Sequence, residues 1–170
     1  MPTKPDFVIR RVDRSYDTTL QNLFEHYLHD MAEWFQFDVG SDGRYAYDMS
    51  PHWQNNDSVY LARVHGALAG FALISSAKQW TNDPVSLDVR EFFVIRRHRR
   101  SGVGQALIRK IWNEHRGHWL VRVLEANAPA VPFWRTIIDA YTQERFSERQ
   151  VVGSDGRHRL FFSFDNRNLA

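Results

Sequence analysis

The chain has 170 residues, of which 43% are hydrophobic and 25% charged, and its formal net charge is +2. This composition is ordinary for a globular protein and lacks the basic excess that is usual in a general nucleic-acid binder. Cysteine is absent, which excludes disulfides, thiolate metal sites and a cysteine nucleophile and favours a cytoplasmic protein, and no stretch approaches the ~20 apolar residues of a membrane span.

The apolar periodicity predicts strands and helices that together indicate one mixed α/β domain over residues 1–170. The first half is predicted to contain a strand at 7–12, a helix from Leu20 to Phe35 with a Thr18–Gln21 capping box, and strands at 58–64 and 67–76 around a His65-Gly66 hairpin turn. The aromatic segment 36–58 between helix and strand has no regular period, and loops of this length are often functional.

The second half of the chain is also predicted to contain both strands and helices. Its predicted elements are a strand at 85–95, a helix from the glycines near 104 to a C-cap at Gly117, a strand at 118–126, a helix at 127–141 with Asn127 as N-cap, and closing strands at 142–148 and 158–164. The run 91–95 is apolar enough to be buried on both faces.

The segment RRHRRSGVGQ, residues 96–105, places four arginines and a histidine directly before two glycines and a helix. Glycine permits positive φ and the close approach of a ligand, and the backbone N–H groups at a helix start attract anions. Arginine adds charge and bidentate hydrogen bonds to phosphate. The segment therefore predicts a site for a phosphate-rich ligand.

Other nucleotide-binding and nucleic-acid-binding motifs fit this segment less well. A P-loop needs Lys-Ser or Lys-Thr after its last glycine, and neither follows Gly104. A Rossmann turn would use Gly102 and Gly104 with Glu125 downstream, but Leu107 is too large for its third position and RRHRRS separates the strand from the glycines. A nucleic-acid patch at RRHRR is a further alternative, without a helix-turn-helix pattern or stacking aromatics to accompany it.

Residues 99–104, RRSGVG, match the [RQ]-x-x-G-x-[GA] signature of the GNAT superfamily of N-acetyltransferases. The surrounding EFFVIRRHRRSGVGQALIRKIW resembles that family's strand, pyrophosphate loop and helix. The later LVRVLEANAPAVPFWRTI is similar to its next element, in which an asparagine, here Asn127, precedes an aromatic pair, here Phe133 and Trp134. The resemblance covers about residues 85–140.

The resemblance implies a central mixed, mostly antiparallel sheet flanked by helices, with two parallel strands that splay apart to hold acetyl-CoA as co-substrate. It implies acetyl transfer to a primary amine of a small molecule or peptide by direct attack, and it leaves assembly as a homodimer open. The composition and the missing motifs predict no nucleic-acid or membrane partner. The loop backbone would take the pyrophosphate, the preceding strand would pair with the pantetheine arm, and Asn127 would lie beside the arm or the thioester. The implied cofactor-binding residues are Phe92, Phe93, Val94, Arg99, Arg100, Ser101, Gly102, Val103, Gly104, Gln105, Asn127 and Phe133.

Glu91 is the predicted catalytic base that takes the proton of the attacking ammonium group. It stands just before an apolar run, so we expect partial burial, and burial raises the pKa of a carboxylate toward a useful value. The alternative is a structural salt bridge between Glu91 and one of the nearby arginines.

The group that would assist the leaving thiolate departs from the family pattern. A tyrosine commonly follows the phenylalanine, and Trp134 stands there in this chain. An indole N–H donates a hydrogen bond but supplies no proton at neutral pH. Tyr141, seven residues further on, is a substitute, and core packing is the alternative role of Trp134. The same departure favours the alternative function, a non-catalytic acyl-CoA-binding or regulatory module on this fold.

Two further groups of side chains have a functional and a structural interpretation. Histidines lie three residues apart at His26 with His29 and at His115 with His118. No third ligand accompanies either pair, so no metal site is predicted. The loops expected to cover the acceptor carry Tyr45, Tyr47, Trp53 and Trp80 with Asp42 and Asp48. Such a set suits a cationic amine, and the alternative is that the aromatic rings pack the long loop against the core.

Overall fold

The computed structural model describes residues 6–169. Within that range it contains seven strands: β1 (Phe7–Val12), β2 (Ser58–Val64), β3 (Ala67–Ser76), β4 (Leu87–Val94), β5 (His118–Leu124), β6 (Ser147–Val152) and β7 (His158–Asp165). They form one sheet in the order β1-β2-β3-β4-β5-β7-β6. Strands β4 and β5 are parallel, whereas β1–β2, β5–β7 and β6–β7 are antiparallel.

The described residues also contain five α-helices: α1 (Asp17–Phe35), α2 (Ser50–Gln54), α3 (Lys78–Thr81), α4 (Val103–Glu114) and α5 (Ala130–Thr142). Short 3-10 helices lie at Arg14–Tyr16 and Arg96–His98. The predicted mixed α/β class with a mostly antiparallel sheet is confirmed. None of the helices in residues 6–169 combines the length and the apolar character that crossing a membrane would require.

The first of two compact units consists of Met1–Leu73 and Glu91–Ile108. Its core forms where the apolar face of α1 meets β2, β3 and the end of β4. Phe24 of α1 is fully buried, and its ring centroid lies 4.6 Å from that of Phe71. Gly70 of β3 is required by close approach, because a Cβ there would lie 2.2 Å from the carbonyl oxygen of Phe93. This contact fixes the end of β4, from which the glycine loop departs.

The second compact unit consists of Ile74–Arg90 and Arg109–Ala170. Its parallel pair matches Leu87–Val89 of β4 with Trp119–Val121 of β5. Asp88, fully buried, accepts hydrogen bonds of 3.1 and 2.6 Å from Arg122. Because a buried carboxylate needs a partner of opposite charge, this pair keeps the start of β4 compatible with burial.

Several element boundaries differ from the predicted ones. Helix α1 begins at Asp17 after the N-cap residue Tyr16, which makes no side-chain cap hydrogen bond, so the predicted capping box of Thr18 and Gln21 is wrong. Gln21 instead donates a 2.7 Å hydrogen bond to the Asp17 carboxylate, one turn before it. Helix α5 begins after Pro129, not at Asn127, and it runs through Thr142. The strand predicted at 142–148 is observed as β6 but begins later, at Ser147, because Gln143 and Glu144 adopt positive φ after the helix.

Candidate functional site

The glycine loop connects β4 to α4 within the first compact unit. Arg100 and Gly102 have φ of 63° and 92°, so the backbone turns through the left-handed region that glycine adopts without strain. The hydrogen bond that opens the helix runs from the Ala106 N–H to the Gly102 carbonyl, at 2.9 Å. The N–H groups of residues 103–105 precede that bond and have no helical acceptor. Together with the positive end of the helix dipole, they favour a bound anion.

The side chains of the predicted loop residues take different positions. Val103 is buried, Gly104 is half-buried, and Ser101, Gly102 and Gln105 are exposed. The Ser101 hydroxyl donates a 2.6 Å hydrogen bond to the His98 carbonyl and so closes the turn before the helix. The loop thus offers an anion mainly its backbone.

The four arginines of the loop differ in the contacts that they make. Arg96 and Arg99 both bind the carboxylate of Asp30 on α1, at 2.6 and 2.5 Å. Arg97 and Arg100 are exposed, and within residues 6–169 their guanidinium groups make no hydrogen bond or ion pair. Two of the arginines, Arg96 and Arg99, are therefore committed to Asp30, whereas Arg97 and Arg100 are available to a ligand.

The end of β4 places Phe92, Phe93 and Val94 before the loop. The Phe93 side chain is buried in the core, so only its backbone is available to a ligand. Phe92 and Val94 are half-buried. The Val94 carbonyl accepts a 2.8 Å hydrogen bond from Nε of Arg99, which ties the loop to the strand end.

Glu91 is half-buried on β4, and its Oε2 accepts a 2.6 Å hydrogen bond from the hydroxyl of Tyr27 on α1. The Tyr27 ring is held by aromatic neighbours, with centroids 5.8 Å away at both Phe71 and Phe93. Sequence reasoning missed Tyr27, because its place on the apolar face of α1 indicates only core packing. The tyrosine fixes one oxygen of the predicted base.

The remaining predicted residues lie in the second compact unit. Asn127 is half-buried in the turn between β5 and α5, where its N–H donates to the Leu124 carbonyl at 3.0 Å. Within residues 6–169 its side-chain amide makes no hydrogen bond, which leaves donor and acceptor available. Phe133 on α5 is half-buried, and its ring centroid lies 5.1 Å from that of Trp134.

Neither residue considered for assisting the leaving group is well placed for proton donation. Trp134 is 7% exposed and packs beside Trp112, with ring centroids 6.4 Å apart, as the core-packing interpretation expects. The Tyr141 hydroxyl donates a 3.1 Å hydrogen bond to Asn113 and lies 3.4 Å from the side-chain nitrogen of Asn166. Tyr141 therefore belongs to a polar network that links α4, α5 and the segment after β7.

The segment 36–57 between α1 and β2 is fixed mainly by its aromatic side chains. The Tyr47 ring stacks on Phe24 at 4.0 Å, and its hydroxyl lies 2.8 Å from Nε2 of His52. Nδ1 of His52 lies 2.7 Å from a carboxylate oxygen of Asp57. Because a carboxylate only accepts, Nδ1–H donates to Asp57 and Nε2 accepts from Tyr47 in the neutral imidazole. Trp53 also points inward and donates a 2.7 Å hydrogen bond to Asp17.

The other aromatic and histidine side chains lie nearer the surface. The Tyr45 hydroxyl lies 3.4 Å from His29. Trp80, in the second unit, is 41% exposed, and the Arg122 guanidinium lies 4.7 Å from its ring centroid. Residues 6–169 contain no group of three histidine, aspartate or glutamate side chains arranged to hold a metal ion.

Comparisons with known proteins agree on one family. Residues 23–137 match the model of the acetyltransferase (GNAT) family. The chain is 30% identical over 135 residues to streptothricin acetyltransferase of Streptomyces lavendulae, a match that covers 76% of this chain and 67% of that protein.

Two solved structures share the fold. The ribosomal-protein-alanine N-acetyltransferase of Brucella melitensis has a TM-score of 0.67 and 17% identity, over 93% of this chain and 99% of that one. The structure of yncA from Salmonella typhimurium with its cofactor acetyl-CoA has a TM-score of 0.66 and 16% identity, over 96% of both chains. The chain belongs to the GNAT family of acetyltransferases, and acetyl-CoA is its acetyl donor.

Proposed function

We propose that this chain, as one domain over residues 1–170, transfers the acetyl group of acetyl-CoA to a primary amine of streptothricin or a similarly cationic small molecule. The assignment of this acceptor is supported by the 30% identity to a streptothricin acetyltransferase over most of the chain. A cytoplasmic location, which the absence of cysteine favours, is part of the same proposal.

The glycine loop is the proposed pyrophosphate site. Its backbone N–H groups at residues 103–105 have no helical acceptor and lie at the positive end of α4. Arg97 and Arg100 are exposed and free to add charge-assisted hydrogen bonds to phosphate oxygens. Phe92, Val94, Asn127 and Phe133 remain the proposed contacts of the pantetheine arm, with Phe93 contributing only its backbone.

Glu91 is the proposed base. Direct attack requires a neutral amine, so a carboxylate must accept the ammonium proton before or during attack on the thioester. Tyr27 donates to one oxygen of Glu91 and so orients the carboxylate. The oriented Glu91 carboxylate is the proposed proton acceptor.

The leaving thiolate needs no protein acid in this proposal. Trp134 lies in the core, and the Tyr141 hydroxyl donates to Asn113. The thiol of cysteine, a reference for a biological thiol, has a pKa of ~8.5. A thiol of similar acidity departs as a thiolate near neutral pH at modest cost. Water or fixed dipoles then supply the remaining stabilisation.

The charge of the segment 25–48 supports a cationic acceptor. It contains six acidic residues against one arginine, in a chain that is otherwise rich in arginine. Asp30 is committed to Arg96 and Arg99, and Glu25 accepts from the backbone of Tyr45. Glu33, Asp38, Asp42 and Asp48 remain exposed and give this surface a negative potential that attracts cations.

The test is thiol release from acetyl-CoA in the presence of streptothricin, polyamines, aminoglycosides, amino acids and peptides, with the product identified by mass. Streptothricin should release thiol well above the buffer rate and gain one acetyl group. Release with peptide N-termini and none with streptothricin would contradict the acceptor assignment. Acetyl-CoA binding without thiol release from any amine would instead favour the non-catalytic module.

A further inference from the structure

Asp30 connects two chain segments that are far apart in sequence. It lies on α1, and its Oδ1 accepts from Nε and Nη2 of Arg96 at 3.1 and 2.6 Å. Its Oδ2 accepts from Nη2 of Arg99 at 2.5 Å. Arg99 in turn donates through Nε to the Val94 carbonyl. We call these four residues, Asp30, Val94, Arg96 and Arg99, the Asp30 clamp.

The clamp occupies both arginine side chains that flank the turn before the glycines. The Asp30 side chain is only 16% exposed, whereas those of Arg96 and Arg99 are 73% and 45% exposed. The Asp30 carboxylate is therefore the most buried charged group of the clamp, and the Arg96 and Arg99 side chains extend from the loop to bind it. Arg97 and Arg100, each of which directly follows a clamp arginine in the sequence, are exposed and lie outside the clamp.

The charges of the clamp are maintained at neutral pH. Burial of Asp30 opposes its ionisation, but the hydrogen bonds and positive charges of Arg96 and Arg99 outweigh burial, so the pKa of Asp30 lies below its ordinary value. The same hydrogen bond to Asp30 raises the pKa of Arg96. Hydrogen bonds between two ionised partners are shorter and stronger than neutral ones.

A loop that binds an anion through backbone N–H groups must hold those groups in one orientation before the anion arrives. Like charges in the sequence RRHRR would otherwise spread the turn apart, since its four arginines repel one another. Asp30 supplies the negative charge that offsets this repulsion and joins the turn to a helix packed on the core.

We propose that Asp30 is a positioning residue for the acetyl donor: it holds the turn at residues 96–100 so that the N–H groups of residues 103–105 are preorganised for pyrophosphate. This inference rests on the proposed function of the loop. Asp30 touches no reacting atom, so its effect should fall on donor affinity and not on the chemical step.

A different role for the arginines predicts the opposite effect of losing Asp30 on donor affinity. If the arginines were themselves the phosphate ligands, Asp30 would compete with phosphate for them, and its loss would tighten donor binding. The geometry favours positioning, because Arg99 is also bound to the Val94 carbonyl and is not free to turn outward without losing both contacts.

The test compares Asp30→Asn with Asp139→Asn, a neutral-for-acid exchange at an exposed residue of α5 that lies outside both the clamp and the acidic segment 25–48. Two donors are used with streptothricin as acceptor: acetyl-CoA, and S-acetylpantetheine, which lacks the pyrophosphate. Asp30→Asn should raise the KM for acetyl-CoA about tenfold while kcat stays within about twofold. Its kcat/KM for S-acetylpantetheine should match the parent, and Asp139→Asn should match the parent with both donors. Arg96→Gln removes one of the two arginines that bind Asp30, so it should raise the KM for acetyl-CoA by less than Asp30→Asn does.

Calorimetry with free CoA separates failure of this inference from failure of the proposed function, because it needs no acceptor. Unchanged or tighter CoA binding by Asp30→Asn would overturn the positioning role. An equal loss with acetyl-CoA and S-acetylpantetheine would also overturn it, since it would indicate general distortion. If the parent and a Gly104→Val variant bind CoA equally, the loop assignment itself is wrong.

Discussion

Two segments of the first compact unit are held in place by different means. The β4–α4 segment, residues 91–105, is tied by ion pairs and hydrogen bonds near the surface, and it leaves a row of backbone N–H groups available. The α1–β2 segment, residues 36–57, sends Tyr47, His52 and Trp53 inward to aromatic and polar partners. Changes in the first segment should alter donor binding and catalysis at little cost in stability, whereas changes in the second should do the reverse.

The largest effect on catalysis is expected from Glu91→Gln. The amide oxygen can still accept from Tyr27, but it cannot take the ammonium proton, so turnover should fall about 10²-fold or more. Part of the activity should return at higher pH, where more of the acceptor amine is already neutral. Steady-state rates across pH measure this, with Glu144→Gln at the end of α5 as the control. Parent-like turnover at every pH would make Glu91 a structural residue.

In the second segment, His52→Phe should lower the free energy of unfolding by about 2–3 kcal/mol. His52 is 5% exposed, and the change removes both the donor to Asp57 and the acceptor for Tyr47. Urea denaturation of this variant and of His26→Phe, an exposed exchange on α1, measures the difference. CoA affinity of folded His52→Phe should equal that of the parent. A large loss of CoA affinity with unchanged stability would reverse the comparison of the two segments.

A smaller effect should appear in acid. Burial opposes ionisation of Asp30, and its two arginines outweigh burial, so its pKa is lowered. Hydrogen bonds from Arg167 lower the pKa of Asp165 to about 2. Unfolded aspartates titrate near ~3.9, so in this range the unfolded state binds more protons and stability falls as the pH drops from about 5 to about 2.

The ion pairs that join Arg96 and Arg99 of the first segment to Asp30 contribute to this acid dependence. Urea denaturation at several pH values should therefore give a shallower pH dependence for Asp30→Asn than for the parent. An identical slope in the two proteins would mean that the Asp30 ion pairs add no stability.

The same two segments show which features of the fold and of the site can be predicted from the sequence. The glycine loop was predictable, because backbone anion sites depend on residue types at fixed local spacing, and RRSGVG has that spacing. The commitment of Arg96 and Arg99 to Asp30 was not, since the partners lie 66 and 69 residues apart. For the same reason Tyr27 was missed, because Glu91 lies 64 residues further along the chain.

In the second segment, the aromatic composition was visible but its orientation was not. Tyr47 and Trp53 were expected either to face an acceptor or to pack on the core, and only tertiary contacts decide this. The start of β6, which was predicted five residues too early, has a local cause. Thr142 donates its hydroxyl to the Ile138 carbonyl inside α5, which extends the helix over a residue that propensity assigns equally well to a strand.

Binding of free CoA to Gly104→Val tests most directly the claim that the glycine loop holds the acetyl donor through its backbone. Valine would fill the space beside the free N–H groups and push the pyrophosphate away, so affinity should fall about 30- to 150-fold, or ~2–3 kcal/mol. Gly117→Val is the matched control, because a Cβ at Gly117 meets no atom within 4 Å, and it should bind CoA like the parent. Calorimetric titration that gave the same CoA affinity for a folded Gly104→Val protein and the parent would contradict the account.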